Sequence, residues 1–421
     1  MKSLCKLLVL TLTSLWVFPS ALQANDKPIE KIHSPTLTTT DKKLDRITEH
    51  FNAYINQGKM AGAISLVTRK GKIIHYEKMG QQNMAQNRPM QDDTIFRIYS
   101  MTKPIIGAGL MMLWEDGKFK LDDPVSKYIP EFKNLKVYAG QNDDGSMKTV
   151  DMEREMTVRD LLTHTAGLSY GWFSETPVDM LYRSSELLAP HLSTKEFISR
   201  LSKIPLLVQP GSRWIYSVSV DVQGYLIEVL SGMPLDQYLR EKIFNPLGMK
   251  DTGFHVPEAN LDRFVEVYTL DKDKGLIPLP AGTIQDFTKK PAFHSGGGGL
   301  VSTTFDYLAF AKMILNKGSH KGKKLLSPET VDLMGQNHLP KGVYANPEKT
   351  MGFGLGLAVL EGLPADGSKG SNGELNWGGM ANTVFWIDPQ EDLIAIFMTN
   401  MLPFGLLPFR EEFKARIYPL N

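Results

Sequence analysis

The stretch Phe96–Trp114, FRIYSMTKPIIGAGLMMLW, joins a polar start to a long apolar continuation. Proline is tolerated only near the start of a helix, so Pro104 requires a helix that begins close to Ser100. Residues three apart on a helix share a face, which places Ser100 and Lys103 side by side. The apolar residues that follow continue this helix to Trp114.

Ser100-Met101-Thr102-Lys103 is an S-x-x-K string whose setting suits nucleophilic chemistry. The positive end of the helix dipole favours a serine alkoxide, and a buried lysine gives up its charge and can accept a proton. A capping serine followed by a surface lysine would produce the same string. A second match, Ser3-Leu4-Cys5-Lys6, lacks this setting. The motif alone leaves both interpretations open.

A tyrosine and a pair of glycines are further candidates. Tyr216 directly precedes a predicted helix at Val218–Leu230. Tyrosine ordinarily ionises near pH ~10, so it acts as a base only beside a cation such as Lys103. The string Asn376-Trp377-Gly378-Gly379-Met380 ends a predicted strand, where paired glycines let backbone N–H groups bind an oxyanion. A core tyrosine and a strand-end turn are the structural alternatives.

Two glycine-containing strings are interpreted as structural. Gly167-Leu168-Ser169-Tyr170-Gly171 matches the G-x-S-x-G pattern, which requires a buried strand before the serine and a helix after it. Here a predicted helix, Thr157–His164, precedes it and a loop follows, so Ser169 as the nucleophile is the minor alternative. Gly296–Gly299 lacks the Lys-Ser/Thr of a phosphate loop.

The composition excludes several classes of function. The chain has 421 residues, of which 42% are hydrophobic and 22% charged, as in soluble globular proteins. Its 47 Lys and Arg against 46 Asp and Glu give a net charge of +1, which argues against nucleic-acid binding. A single cysteine, Cys5, and nine scattered histidines offer no disulfide and no local metal motif. We therefore expect no metal and no cofactor.

The N-terminal segment has the layout of a signal peptide. Lys2 and Lys6 flank the start of an apolar stretch that runs to Phe18, and Ala24 closes a small-residue cleavage step. This predicts a signal peptide over residues 1–24, a polar tether over 25–40, and a periplasmic or secreted protein without stable membrane insertion. A retained membrane anchor is the alternative, although the stretch is shorter than the ~20 residues of a span.

Residues 41–421 are predicted to have β-rich ends and a helical middle. The pattern indicates an α+β fold in which segments 41–100 and 292–421 form one antiparallel sheet flanked by helices, with a mainly helical region, 101–291, inserted. Gln141–Glu155 is predicted as a polar loop and Leu270–Pro291 as an irregular stretch. The predicted terminal elements are helices Asp41–Asn56 and Phe409–Tyr418 and strands Ala63–Thr68, Lys72–Lys78, Phe353–Leu360, Glu374–Trp377, Thr383–Ile387 and Leu393–Thr399.

Three strings, taken in order, resemble the motifs of the serine β-lactamase and penicillin-binding-protein superfamily. They are Ser100-Met101-Thr102-Lys103, Tyr216-Ser217-Val218 and Trp377-Gly378-Gly379, supported by His164-Thr165-Ala166-Gly167-Leu168 and Gly297-Gly298-Gly299-Leu300-Val301-Ser302. The chain is most similar to the class C-like branch and, within it, to the family VIII carboxylesterases. The resemblance runs from about Asp41 to the end and implies the β-lactamase-like fold. It also implies that a G-x-S-x-G string in such an esterase is not catalytic.

The resemblance assigns expected roles. Ser100 would attack an ester carbonyl after losing its proton to Lys103 and Tyr216. The backbone N–H groups of Ser100 and Met380 would form the oxyanion hole. The substrate-binding strand would consist of Trp377, Gly378 and Gly379.

Two departures from the superfamily bear on the substrate. Val218 stands where β-lactamases and D,D-peptidases usually have Asn, and Trp377-Gly378-Gly379 replaces their Lys-Thr-Gly. The missing lysine and threonine hold the carboxylate of a β-lactam or D-Ala terminus, and such a bond is worth roughly 1.5–3 kcal/mol. We therefore expect a small-molecule ester or amide substrate. Weak β-lactamase or D-amino-acid peptidase activity, or a non-catalytic peptidoglycan-binding role, are the alternatives. The oligomeric state is not indicated.

Overall fold

A computed structural model describes residues 41–362 and 370–418. The predicted signal peptide and tether lie outside the described residues. In the described part the helices are α1 Asp45–Asn56, α2 Thr102–Glu115, α3 Val158–Leu162, α4 Pro177–Ser184, α5 Thr194–Leu201, α6 Ser219–Ser231, α7 Leu235–Leu239, α8 Asn245–Leu247, α9 Thr304–Leu315, α10 Pro328–Met334 and α11 Phe409–Ile417.

The strands of the described part come from both ends of the chain and from short hairpins between them. They are β1 Gly62–Arg69, β2 Lys72–Asn83, β3 Arg88–Pro89, β4 Phe96–Arg97, β5 Lys136–Gln141, β6 Met147–Asp151, β7 Tyr268–Asp271, β8 Gly275–Pro278, β9 Val301–Ser302, β10 Ser319–His320, β11 Lys323–Lys324, β12 Met351–Phe353, β13 Ala358–Leu360, β14 Leu375–Gly378, β15 Val384–Asp388 and β16 Leu393–Met398.

One eight-stranded sheet joins the two ends of the described chain. Its order is β12-β13-β14-β15-β16-β1-β2-β3, and every neighbouring pair is antiparallel. The pairing of β1 with β16 places Leu66 opposite Ile396, so early and late segments meet inside the sheet. The region between them is mainly helical. The predicted α+β fold, with a sheet from both ends and an inserted helical region, is therefore confirmed.

Helices cover both faces of the sheet because neighbouring residues of a strand point to opposite faces. On β15, the Trp386 ring lies 5.3 Å from Phe413 of α11, measured between ring centroids. The adjacent Phe385 ring lies 4.9 Å from Tyr307 of α9 on the other face. Helix α1 packs beside α11, and its Phe51 ring lies 4.5 Å from the ring of Phe397 on β16, measured between centroids. All six side chains are buried, so both interfaces belong to the core.

Helix α2 is buried along most of its length, as expected for a helix that is apolar on every side. Gly107 allows close packing, because a Cβ there would lie 3.1 Å from the Cα of Gly356. Further along, the Tyr238 hydroxyl donates to the Gly109 carbonyl at 3.0 Å. These contacts hold the middle of α2 inside the protein, a few residues after Ser100.

Three local predictions are wrong or incomplete. Gln141–Glu155 contains the last residue of β5, the turn and all of β6 of a hairpin whose strands are largely exposed and therefore show no apolar alternation. Leu270–Pro291 begins with the β7–β8 hairpin. Phe353–Leu360 is not one strand: β12 and β13 pair with each other across a turn that contains Gly356 at φ +97°, a conformation that glycine adopts without strain.

None of the helices within residues 41–362 and 370–418 has the length and apolarity needed to cross a bilayer.

Glu374, just before β14, ties the sheet to α11 and makes stability depend on pH. The side chain is 1% exposed and accepts a hydrogen bond from Lys414 at 2.7 Å. Burial raises its pKa from 4.5 to about 7, against the opposing effect of Lys414. The folded state thus holds this proton more tightly than the unfolded chain does. The Glu374 contribution is therefore complete below pH 4.5 and is lost as pH rises to about 7.

We predict that Glu374→Gln removes this pH dependence. The free energy of unfolding of the variant, relative to wild type, should rise by about 1–3 kcal/mol between pH 5 and pH 8, as measured by urea denaturation. Glu411→Gln, on the exposed side of α11, is the matched control and should follow the wild-type curve. Parallel curves for Glu374→Gln and wild type would contradict the prediction.

Candidate active site

A short 3₁₀ turn, Tyr99–Met101, carries Ser100 into the start of α2. Tyr99 has φ +42°, a left-handed conformation that is uncommon outside glycine and often occurs at functional sites. The Tyr307 hydroxyl holds the turn by donating to the Met101 carbonyl at 2.9 Å. The turn therefore presents the serine on a rigid support.

Lys103 lies one turn further along and is 2% exposed. Its ammonium donates to Ser100 Oγ at 3.2 Å, to the Tyr170 hydroxyl at 2.9 Å and to the Gly297 carbonyl at 2.6 Å. An ammonium has three N–H donors, and each here has an acceptor. Burial of the charge is tolerated because its hydrogen bonds are complete.

Tyr216 also contacts Ser100. Its hydroxyl donates to Ser100 Oγ at 2.7 Å, and Lys103 Nζ lies 4.5 Å from the centre of its ring. The structure thus brings the three predicted side chains together around one oxygen atom. An oxygen with both an amine and a phenol in hydrogen-bond range has routes for losing and regaining a proton.

Asp221, on the first turn of α6, is a buried carboxylate beside this trio. Its Oδ1 accepts from Ser295 Oγ at 2.6 Å and from the Gly297 N–H at 3.0 Å, while Oδ2 has no hydrogen-bond partner among the described residues. Burial raises the pKa of Asp221, and the charge of Lys103 opposes that shift. A titratable carboxyl group therefore lies close enough to Lys103 to interact with its charge.

Gly297 is required where these groups converge. A Cβ at this position would lie 2.5 Å from Asp221 Oδ2 and 2.6 Å from the Tyr170 hydroxyl.

Tyr170 is a further buried residue of the site. Burial, and to a smaller extent the nearby Asp221 carboxylate, raises the pKa of Tyr170 well above its usual value. The motif strings did not indicate Tyr170 or Asp221 as site residues. The available signal was a lone acid between Val220 and Val222 in an apolar helix.

His164 supports the tyrosine as a neutral ring. It is buried with φ +58°, its Nδ1 accepts from the Ser217 N–H at 3.3 Å, and its ring centre lies 5.1 Å from that of Tyr216. Burial, with the added effect of Lys103, holds its pKa well below the usual range. His164 therefore positions Tyr216 without a charge of its own.

The end of β14 approaches the serine turn through its glycines. A Cβ on Gly379 would overlap the Ile98 carbonyl, two residues before Ser100. The Trp377 ring lies 5.4 Å from that of Tyr216, and Met380 is 38% exposed at the edge of the strand end. The predicted substrate-binding strand and the predicted nucleophile are thus neighbours.

Ser169 has a different environment. Its hydroxyl donates to Asp179 Oδ1 at 2.6 Å and accepts from the Gly171 N–H at 3.0 Å. These contacts anchor a turn, as predicted for this G-x-S-x-G string.

A protein-family model described as Beta-lactamase matches residues 44–415. The chain belongs to the β-lactamase family. It is 34% identical to a protein of Mycobacterium tuberculosis described as uncharacterized, covering 82% of this chain and 87% of that protein. It is 30% identical to Esterase EstB of Burkholderia gladioli, covering 84% and 90%.

A solved structure gives the same assignment. EstCE1, described as a hydrolase with promiscuous acyltransferase activity, matches with a TM-score of 0.73 and 28% identity, covering 89% of this chain and 97% of that one. The protein is therefore a β-lactamase-fold hydrolase related to esterases and acyltransferases, and the resemblance predicted from its motifs is confirmed.

Arg410 of α11 changes the charge expected near the family's third motif. β-Lactamases usually carry Lys-Thr-Gly where this chain has Trp377-Gly378-Gly379. A Cβ on Gly378 would lie 2.5 Å from Arg410 Nη1, and the guanidinium donates to the Gly379 carbonyl. Burial lowers the pKa of Arg410 to about 10, so it stays charged at neutral pH. A cation from another element thus lies beside the strand that lost its lysine.

We predict that Gly297→Ala destabilises the protein and that Gly298→Ala does not. The added methyl at 297 would overlap Asp221 and Tyr170, and such overpacking costs about 1–3 kcal/mol. At 298 the nearest atom would be Tyr99 C at 3.6 Å, an ordinary contact. Differential scanning calorimetry should show a lower Tm for the first variant alone. Equal Tm values would mean that Gly297 tolerates a side chain.

Proposed function

We propose that this protein is a secreted or periplasmic serine hydrolase that cleaves carboxylic esters through an acyl-enzyme on Ser100. The observation that carries the proposal is the position of Ser100 Oγ, 2.7 Å from the Tyr216 hydroxyl and 3.2 Å from Lys103 Nζ. The similarity to Esterase EstB supports an ester as the substrate. The predicted signal peptide, residues 1–24, supports export, which N-terminal sequencing of the exported protein would test.

Acylation requires the Lys103–Tyr216 pair with one proton removed, as the neutral amine or the tyrosinate, and this form takes the proton of Ser100 as Oγ bonds to the ester carbonyl carbon. The bond to the alcohol oxygen then breaks, and Tyr216 supplies the proton that the leaving alcohol requires. Water attacks the acyl-enzyme in the second step, giving up a proton to the same pair. The acid is released and Ser100 regains its proton.

The peptide between Gly379 and Met380 supports the proposed oxyanion hole. Arg410 binds the Gly379 carbonyl, and in a trans peptide the N–H points opposite to the carbonyl. The Met380 N–H is therefore held on the side away from Arg410. With the Ser100 N–H it would stabilise the negative charge on the substrate oxygen, an interaction often worth 10²–10³-fold in rate, or about 2.7–4 kcal/mol.

A second candidate is slow hydrolysis of β-lactams or D-amino-acid amides, which Arg410 favours. Its guanidinium lies against Gly378, next to the strand where the family's lysine would be. It would attract the carboxylate that such substrates carry. The guanidinium is also bound to the Gly379 carbonyl and lies 4.2 Å from the Phe404 ring centre, so it is less available than a free lysine. We rank this activity below ester hydrolysis for that reason.

We predict that a fluorophosphonate probe labels Ser100. The probe reacts with serines whose proton can be removed, and among the serines of residues 41–362 and 370–418 only Ser100 has both Lys103 and Tyr216 within hydrogen-bond range. Peptide mapping by mass spectrometry should locate the label there. Ser100→Ala should abolish labelling, and Tyr216→Phe should slow it by ~10²–10⁴, the usual effect of losing an acid–base group.

Labelling of Ser169 would overturn the proposal. No labelling of a folded protein, checked by circular dichroism, would favour a non-catalytic peptidoglycan-binding role.

Arg410 provides a test of substrate charge. We predict that wild type hydrolyses a neutral nitrophenyl ester faster than an anionic chromogenic cephalosporin. Arg410→Gln should lower kcat/KM for the cephalosporin about 10-fold more than for the ester, because a charge-assisted hydrogen bond is lost. Arg410→Lys, which keeps the charge, should restore part of the difference.

A faster rate on the cephalosporin would contradict the ester assignment. Equal losses on both substrates would show that Arg410 acts only by holding the strand.

A further inference from the structure

The turn that carries the G-x-S-x-G string is anchored firmly, although its serine is not the proposed nucleophile. Besides the Ser169 contacts, Arg183 of α4 donates to the Gly171 carbonyl at 2.6 Å. Gly171 has φ +79°, and a Cβ there would lie 2.7 Å from Tyr182 Cβ, so the turn packs directly on α4. This support fixes the position of the two residues that follow, Trp172 and Phe173.

Trp172 and Phe173 are large aromatic residues that are 60% and 67% exposed. The Trp172 ring stacks on Tyr170 at 5.3 Å with an interplanar angle of 8°. The Phe173 ring lies 5.8 Å from Tyr216. Stable monomers rarely expose contiguous apolar surface without a function.

The same aromatic surface continues to the reacting groups. The Tyr170 and Tyr216 rings lie 5.2 Å apart, the Tyr170 hydroxyl accepts from Lys103, and the Tyr216 hydroxyl donates to Ser100. Trp377 contacts Tyr216 from another side. A molecule whose carbonyl lies at Ser100 would therefore have a continuous aromatic surface beside it, leading outward from the bond that reacts.

We propose that Trp172 and Phe173, which we call the aromatic wall, form a subsite for a bulky apolar group of the ester substrate, of the size of a fused aromatic ring. The inference rests on the proposed ester hydrolysis and names its substrate class. Flat aromatic side chains bind flat apolar groups by stacking and edge contacts. The occupant is assigned from continuity with the serine, because the aromatic wall contacts Tyr170 and Tyr216, whose hydroxyls bind Lys103 and Ser100.

The test compares bulky and small esters in two series. The acyl series pairs ethyl 2-naphthylacetate with ethyl acetate, and the alcohol series pairs 2-naphthylmethyl acetate with ethyl acetate. Hydrolysis is followed in a pH-stat, and the ratio of kcat/KM for the bulky ester to that for the small ester is recorded. Intrinsic reactivity cancels when this ratio is compared between variants.

The double variant Trp172→Ala/Phe173→Ala should lower that ratio by about 10- to 100-fold in at least one series, as expected for losing the burial of an aromatic group. The series that responds identifies the acyl or the alcohol half as the occupant. Ser169→Ala, which loosens the turn, should lower the ratio less and in the same series. Met84→Ala, 44% exposed at the β2–β3 turn, is the control and should leave the ratio unchanged.

An unchanged ratio in both series would overturn the aromatic wall as a subsite. If Ser100 is still labelled by the fluorophosphonate, the proposed hydrolysis stands and only this inference fails. Sedimentation velocity tests whether a second copy of the chain binds the aromatic wall instead. If wild type self-associates, the double variant does not, and the ratio is unchanged, the aromatic wall is an interface between two copies.

Discussion

The buried ammonium of Lys103 is the constraint on which the site depends. A charge that is 2% exposed must have acceptors for its protons, and they come from three parts of the chain: Ser100 before α2, Tyr170 after α3, and Gly297 before β9. Moving any of these segments would leave a buried donor unpaired, which costs more than the bond itself contributes. The lysine thus fixes the inserted region against the sheet-forming part at the serine.

The large-scale fold was predictable because its core elements carry strong patterns. β16 is apolar without interruption and α1 is amphipathic, and both were predicted from the sequence. The β5–β6 hairpin was missed since its exposed strands pair through backbone hydrogen bonds, which leave no mark on side-chain periodicity. The turn between β12 and β13 was missed for another reason. Gly356 in this turn packs against Gly107 of α2, and such a long-range contact cannot be predicted from local sequence.

The residues of the site likewise fall into those that local sequence predicts and those that it does not. Ser100, Lys103 and Tyr216 were predicted from short strings and from their order along the chain, and the structure brings them within hydrogen-bond distance. The catalytic roles remain proposals. Asp221 and Arg410 were missed, because each acts on a segment far from it in sequence: Asp221 binds the Gly297 N–H, and Arg410 the Gly379 carbonyl. Such groups are recognised only when distant segments are seen in contact.

The aromatic residues around Tyr216 favour a neutral substrate, and Arg410 is too fully engaged to offset this preference for an anionic one. The guanidinium already has the Gly379 carbonyl as an acceptor and the Phe404 ring as a neighbour, so a substrate carboxylate would have to compete for it. An apolar ester group meets no such competition, because Trp377, Phe173 and Tyr216 offer ring surface. Desolvating a carboxylate costs free energy that only a well-paired cation recovers, whereas burying an apolar group is favourable from the start. These contacts support the proposed preference for neutral esters.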